Sequence, residues 1–352
     1  MSSSLYQICK HFSKAQIHNI KALGNGLIND TYLVETNVAD FVLQRLNTQV
    51  FPRPELVMEN LVLLTQHIKQ KNTESIKLKV PMVLKTLCQE NYYKDEHSNF
   101  WRALEFFENV ESREIIRQVE EAKQVGFALA HFHYLLSDTA VDSFHDTLPS
   151  FHITPIYYQH YQNVEKNCNE ASGTEELHFC RSFIAEFKEK INVLELARRK
   201  GLIKEQIIHG DPKLNNFLFE RNSDQIISLI DLDTVKPGLV HYDIGDCLRS
   251  CCHIPETNKF DLQICNAILE SYLKQACSFF TDQDYEFLYP AIQLIPFELG
   301  LRFFTDYLEG NRYFKVDLPE QNLHRAINLF YLCESISEQK AEIKQMIADY
   351  KF

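Results

Sequence analysis

Residues 207 to 220 read IIHGDPKLNNFLFE, and after a short polar gap residues 227 to 238 read ISLIDLDTVKPG. This span sets His209-Gly210-Asp211 beside Asn216, five residues past the Asp, and then Asp231 and Asp233 after an apolar run. Taken singly, each is an ordinary turn or capping residue. Together, two carboxylates and one amide oxygen, from Asp211, Asp231 and Asn216, are hard oxygen donors suited to magnesium. That ion takes one or two carboxylates from a protein and completes its shell with water and phosphate oxygens. The set points to nucleotide chemistry.

The elements that must position these groups are legible nearby. IIHGD is a short apolar run into a polar turn, FLFE (217 to 220) and IISLI (226 to 230) read as strands, and RNSDQ between them is rich in turn formers. Antiparallel strands joined by a tight turn place the residue before the first beside the residue after the second. Asn216 and Asp231 are therefore expected at the open end of a hairpin, with Asp211 on the loop that feeds it.

The rest of the chain falls into two patterns. Up to about residue 107, FVLQRL (41 to 46), LKVPMVLKTL (78 to 87) and NFWRALEFF (99 to 107) carry strand patterns, and PELVMENLVLLTQHIKQK (54 to 71) reads as a helix with Pro54 in its first turn. From residue 108 helices dominate. Residues 113 to 138 place Val119, Ala122, Val125, Leu129, Phe132 and Leu136 at helical spacing. Residues 174 to 201 close on Arg198, Arg199, Lys200 and Gly201, a helix-end signature. His131 and His133 lie within the first of these helices and are read as packing or surface residues and not as ligands.

Composition narrows the class. The chain has 352 residues, 45% apolar and 24% charged, enough for two lobes with their own cores. Its formal charge of -12 gives no footprint for nucleic acid or for an anionic membrane, which need clustered Lys and Arg. The opening MSSSLYQICKHFSK lacks the apolar core of a signal peptide, and no stretch reaches the ~20 apolar residues of a membrane span. A soluble cytoplasmic protein acting as a monomer is expected. The ten cysteines include no Cys-x-x-Cys pair, so Cys247, Cys251 and Cys252, with His253 beside them, are read as core thiols and not as a zinc site. Asn29-Asp30-Thr31 fits a glycosylation sequon, which has no meaning without secretion.

The spacing His-x-Asp-x-x-x-x-Asn at His209, Asp211 and Asn216 resembles the catalytic loop of protein kinases, and Asp231 takes the place of their metal-binding Asp. His209-Gly210-Asp211 and Asp231-Leu232-Asp233 differ from the protein-kinase words and resemble the aminoglycoside phosphotransferase family of small-molecule kinases. The resemblance implies an α+β fold, the protein-kinase-like two-lobe fold. Residues 1–107 would be a small, sheet-based nucleotide-binding lobe, and residues 108–352 a larger, mostly helical catalytic and substrate-binding lobe. Gly24-Asn25-Gly26 would then be the phosphate-covering turn, with Asn29 where protein kinases carry a third Gly. In FVLQRL the position of their phosphate-binding Lys holds Gln44, with Arg45 beside it. Because successive strand residues face opposite sides, only one of the two can reach phosphates. Glu59 is the candidate for the helix acid.

Several segments resemble one branch more narrowly, the N-acetylhexosamine 1-kinases: GNGLINDTYLV, FVLQRLNTQVF, VMENL, IDLDTVKPGLVHYDIGDCLR and ELGLRFFTDYLEGNRYFKV, together spanning residues 24 to 316. This resemblance implies ATP as phosphoryl donor, Mg2+ as cofactor, and the anomeric hydroxyl of an N-acetylated hexosamine as acceptor. It implies Asp211 as the base, Lys213 as a cation near the transferred phosphoryl, Asn216 and Asp231 as magnesium ligands, and Arg302 and Tyr313 as sugar contacts. Asp233 and Asp243 are read as structural carboxylates that order the loop after the hairpin. A kinase of an amino alcohol, amino acid or aminoglycoside is the alternative within enzymes. A nucleotide-binding pseudokinase acting through partner contacts is the alternative outside them, which the Gln44 departure keeps open.

Overall fold

The computed structural model describes residues 2–24, 28–71, 77–167 and 174–351. A short helix α1 (Ser2–Cys9) precedes a meander of three strands, β1 (Ile17–Ala22), β2 (Asp30–Thr36) and β3 (Phe41–Leu46). Helix α2 (Pro54–Lys69) follows, with its proline in the first turn, where the missing N–H costs nothing. The strands β4 (Val83–Leu84), β5 (Tyr93–Lys94) and β6 (Phe100–Glu105) complete one sheet in the order β1-β2-β3-β6-β4, with β5 also on β6. The strand pattern at 78 to 87 forms only the two-residue β4. Pro81 lacks a ladder donor, while Lys79 N–H bonds Ile227 across to the hairpin at 2.9 Å.

Alternation along β3 and β6 decides what the sheet presents to each side. Phe41, Leu43, Trp101 and Ala103 pack with Val34 and with Ile8, Cys9 and Phe12 below α1. The intervening residues face the opposite way, where Leu46 and Phe100 join Val57, Met58 and Leu61 of α2 in the main core. Gln44 and Arg102 are register partners on that second face.

The remainder is mostly helical around short strands. After β7 (Val110–Ser112) come α3 (Val119–Leu136), α4 (Thr154–Glu165), α5 (Glu175–Phe187) and α6 (Val193–Arg199). The helix expected from residue 113 starts at Val119, because Arg113 turns back to the Glu121 carboxylate at 2.7 Å and Glu121 in turn accepts from Arg117 N–H. The helix expected over 174 to 201 is interrupted at Lys188–Lys190 by a tighter turn. The break lets Ile191 and Leu194 enter the same core as Ile184 and Phe187.

Strands β8 (Gln206–Ile208), β9 (Phe217–Glu220), β10 (Ile226–Leu229) and β11 (Lys236–Gly238) then form two antiparallel pairs, β9 with β10 and β8 with β11. The segment closes with α7 (Val240–Cys251), α8 (Leu262–Ala276), α9 (Asp282–Glu286), α10 (Leu288–Leu308), α11 (Gln321–Glu338) and α12 (Lys340–Asp349). Cys247, Cys251 and Cys252 are buried where α7 meets α8. Among the described residues no helix is long and apolar enough to cross a membrane.

Candidate active site

The hairpin does what its sequence requires. Phe217 pairs with Leu229, and Ile230 N–H donates to the Asn216 carbonyl at 2.9 Å, so Asn216 and Asp231 sit side by side at the open end. The loop between β8 and β9 carries Asp211. Lys213 Nζ lies 2.6 Å from Asp211 Oδ2, and Asn216 Nδ2 donates to the Asp211 carbonyl at 2.7 Å. Asp211, Lys213 and Asn216 are thus one hydrogen-bonded unit.

The loop is held from behind. Asp243 of α7 accepts His209 N–H at 2.7 Å and Gly210 N–H at 2.8 Å, one on each carboxylate oxygen. His133 of α3 fixes Asp243, with Nε2 at 2.9 Å from the same carboxylate and Nδ1 at 2.7 Å from the Tyr272 hydroxyl. His209 donates Nε2–H to the Ile230 carbonyl at 3.0 Å and accepts Asp211 N–H on Nδ1 at 3.3 Å. Burial depresses its pKa, which matches the neutral ring that this bonding needs. Gly210 adopts φ +86°, and a Cβ there would stand 2.6 Å from the Thr234 carbonyl oxygen. Only glycine meets both conditions.

Asp231 also takes a left-handed backbone, φ 63° and ψ 53°, a region Asp tolerates better than most residues. The residue keeps solvent exposure. Crowding by the surrounding protein, and then the like charges of Asp233 and Asp211, push its carboxyl up to about 6 against the opposing Lys213 and Arg102. Lys213 is the converse case: burial works against its charge, but Asp211 and Asp231 more than offset it and hold its pKa above the ordinary value. Among the described residues nothing donates to the Asp231 carboxylate, and the amide oxygen of Asn216 is likewise without a partner. These two oxygen donors, in a surplus of negative charge, fit a divalent cation whose remaining ligands are phosphates and water. No cluster of three His, Cys, Asp or Glu side chains that could hold a metal alone occurs among the described residues.

Across from the hairpin, the sheet contributes a group that the sequence reading missed. Arg102 of β6 is 1% exposed, and its guanidinium lies 2.5 Å from Asp233 Oδ1. Gln44 does not bind as a cation would. Its amide oxygen accepts from Arg102 Nε at 2.9 Å and Nη2 at 2.7 Å, while its nitrogen donates to Thr31 Oγ1 at 3.0 Å. Arg45 is on the other face, paired with Asp30 and over the Trp101 ring. Asn29 completes the cluster, donating to Asp233 Oδ2 at 2.7 Å and accepting Asn47 N–H at 3.0 Å. Asp233 therefore does more than order its own loop: it ties the sheet to the hairpin. Glu59 is exposed and bonds His145 at 2.9 Å, away from this cluster. The helix contacts it instead through Met58, whose Sδ is 4.0 Å from Arg102 Nη1. Its neighbour Asn60 bridges His145 and Val235. Gly24 has φ +69° with open space around it, while Asn25 and Gly26 lie outside the described residues.

Arg302 and Tyr313 come together. The Arg302 guanidinium lies among the rings of Tyr157 at 4.9 Å, Phe151 at 5.3 Å, Phe314 at 5.5 Å and Tyr313 at 5.9 Å. Among the described residues it makes no hydrogen bond and no ion pair, so its donors are unspent. Burial works against its charge, but Tyr157, Glu298, Tyr313 and Asp211 raise its pKa overall. Tyr313 is 58% exposed, yet its backbone is fixed. The Asp306 carboxylate accepts the N–H groups of Arg312, Tyr313 and Phe314 at 2.8–3.0 Å and so folds the loop that presents both rings.

Residues 19–286 match the phosphotransferase enzyme family. The fold is shared with an aminoglycoside phosphotransferase from Alicyclobacillus acidocaldarius at TM-score 0.68 and 15% identity, covering 98% of this chain and 96% of that one. It is also shared with a microcompartment-associated aminopropanol kinase at TM-score 0.66 and 16% identity, over 98% of this chain and 99% of that one. A Plasmodium vivax ethanolamine kinase matches at TM-score 0.55 and 14% identity, over 88% and 80% of the two chains. The architecture is the protein-kinase-like one, a small antiparallel sheet followed by a mostly helical remainder.

Proposed function

The chain belongs to the phosphotransferase enzyme family, and from that premise we propose that it transfers the terminal phosphoryl group of ATP to a small-molecule hydroxyl, that of the anomeric carbon of an N-acetylhexosamine or related sugar. Residues 1–107 form the nucleotide side of this reading and 108–352 the catalytic and acceptor side. Asp211 accepts the proton of the attacking hydroxyl, and Lys213 balances charge on the transferred group. Asn216 and Asp231 would hold magnesium, which would neutralise phosphate charge. The turn Gly24-Asn25-Gly26 covers the phosphates. Where protein kinases carry a lysine on this strand, Gln44 instead holds the buried Arg102, whose charge is matched by Asp233.

The observation that carries the acceptor assignment is the unpaired guanidinium of Arg302, set among the rings of Tyr157, Phe151, Phe314 and Tyr313. A guanidinium fork donates to hydroxyl and carbonyl oxygens, and Tyr313 offers a ring face and a hydroxyl to a sugar. The same cation repels an ammonium group, which favours an uncharged acceptor over an amino alcohol. Purified protein incubated with ATP, magnesium and a panel of N-acetylhexosamines, other sugars and amino alcohols decides the matter, with products identified by mass and phosphorus NMR. A phosphorus signal coupled to the anomeric proton is expected. Turnover of amino alcohols alone, or of nothing, overturns the reading.

A further inference from the structure

Two histidines flank the loop that carries Asp211, and they are hydrogen-bonded differently. His209 has one donor and one acceptor nitrogen in use, as described above. His152, in the segment before α4, is bonded otherwise: its Nε2 lies 2.7 Å from the Gly210 carbonyl oxygen and its Nδ1 3.1 Å from Glu298 Oε1. A carbonyl and a carboxylate both only accept, so a ring that satisfies both carries a proton on each nitrogen. The second oxygen of Glu298 accepts from Thr154 Oγ1 at 2.7 Å. The whole group is buried, with His152 4% and Glu298 1% exposed. His152 itself sits at φ 66°, an uncommon backbone that His visits more readily than most.

We propose that His152 and Glu298 form a buried imidazolium–carboxylate pair that positions the Gly210 carbonyl, and through it Asp211, while anchoring that loop to the helix carrying Arg302. Glu298 and Arg302 stand four residues apart on α10, on one face of the helix. The pair thus spans the distance between the proposed base and the proposed acceptor contact. His152 is a positioning residue, and this role rests on the reading of Asp211 as the base.

The surroundings favour the charged ring. Burial alone would lower the pKa of His152, but the hydrogen bond and charge of Glu298, joined by Asp246 of α7 and the Gly210 carbonyl, raise it. The other near neighbours are Tyr242 of α7, stacked at 5.4 Å with its hydroxyl turned to Glu195, Phe151 at 4.0 Å, Tyr157, whose hydroxyl meets the His152 backbone, and Arg302, a cation that competes for Glu298. A raised value in the folded state means that the stabilisation is complete below the ordinary histidine range and is lost as pH climbs through the raised value. Above it, a lone pair faces an acceptor oxygen and the loop is released.

The test pairs ring-nitrogen NMR with the pH profile of kcat, in wild type and Glu298→Gln. The wild-type ring should carry two protons at neutral pH. In Glu298→Gln, its titration and the alkaline fall in kcat should move down together by about one pH unit or more, a tenfold change in proton affinity. His152→Gln keeps a donor for Gly210 that does not titrate, and should flatten the alkaline limb. A ring that carries a single proton at neutral pH, or a pH profile unmoved in Glu298→Gln, overturns the pair. If Glu298→Gln does not fold, the wild-type ring titration decides alone. Asp211→Asn keeps the two readings apart: retained turnover there removes the base, while the ring titration still reports on His152.

Discussion

In Asp211→Asn the side chain keeps its size and loses its charge. The fold and ATP binding should survive, while kcat falls by at least ~10²-fold, the usual size of a general-base contribution. A fall in ATP affinity with kcat intact would make Asp211 a nucleotide contact instead. Arg302→Ala should raise KM for the acceptor and lower kcat/KM, with KM for ATP within about twofold, because only acceptor binding is lost. A comparable loss for ATP, or a melting shift without any change for the acceptor, removes Arg302 from the site. At this scale much was legible: Asp211, Asn216 and Asp231 announce themselves by spacing, and the hairpin brings them together. Arg102 and Asn29 do not. An arginine inside the apolar strand NFWRALEFF is a hint, but its partner is fixed by sheet register and by packing between distant segments. No local pattern encodes either.

The elements that matter most are two loops whose backbones are held by carboxylates, Asp243 behind the Asp211 loop and Asp306 beneath the Tyr313 loop. Asp306→Ala strips the acceptor from the N–H groups of Arg312, Tyr313 and Phe314, and from Asn322 Nδ2. The Asn322 donor is buried, and leaving it unpaired costs about 1–3 kcal/mol, whereas water can partly replace the bonds of the more exposed loop N–H groups. The expected result is a rise in acceptor KM and new proteolytic cleavage near residues 310–314, with ATP KM unchanged. Uncut protein with an unchanged acceptor KM would show that the loop holds itself. Sequence periodicity located α2 within two residues at its C-terminal end, because one apolar stripe faces one core. It overran at 174 to 201, where successive apolar residues serve a core that a single straight helix cannot follow.

Across the whole molecule, the Arg102–Asp233 contact joins the sheet to the hairpin segment, with Gln44 and Asn29 bracing its two ends. Arg102→Met leaves a buried carboxylate without its cation and should cost roughly 3–5 kcal/mol, read as a lower denaturation midpoint. Converting Asp233→Leu in the same chain removes the stranded charge and should recover part of the loss, since partners in contact are not additive. An Arg102→Met chain as stable as wild type would mean the pair contributes little. A division near residue 107 is what the sequence pattern suggests, strands giving way to helices. That the two parts are fastened at Asp233 could not be read from the pattern, because the tie is made by residues from 29 to 233. Its position has a kinematic consequence. A carboxylate gripped by Asn29, just ahead of β2, and by the middle of β6 is a pinned point: the sheet cannot be lifted clear of the hairpin while both bonds hold, and any shift between them must turn about it. On the proposed reading, nucleotide would enter and leave by movement of the sheet about that point and not by its separation from the hairpin.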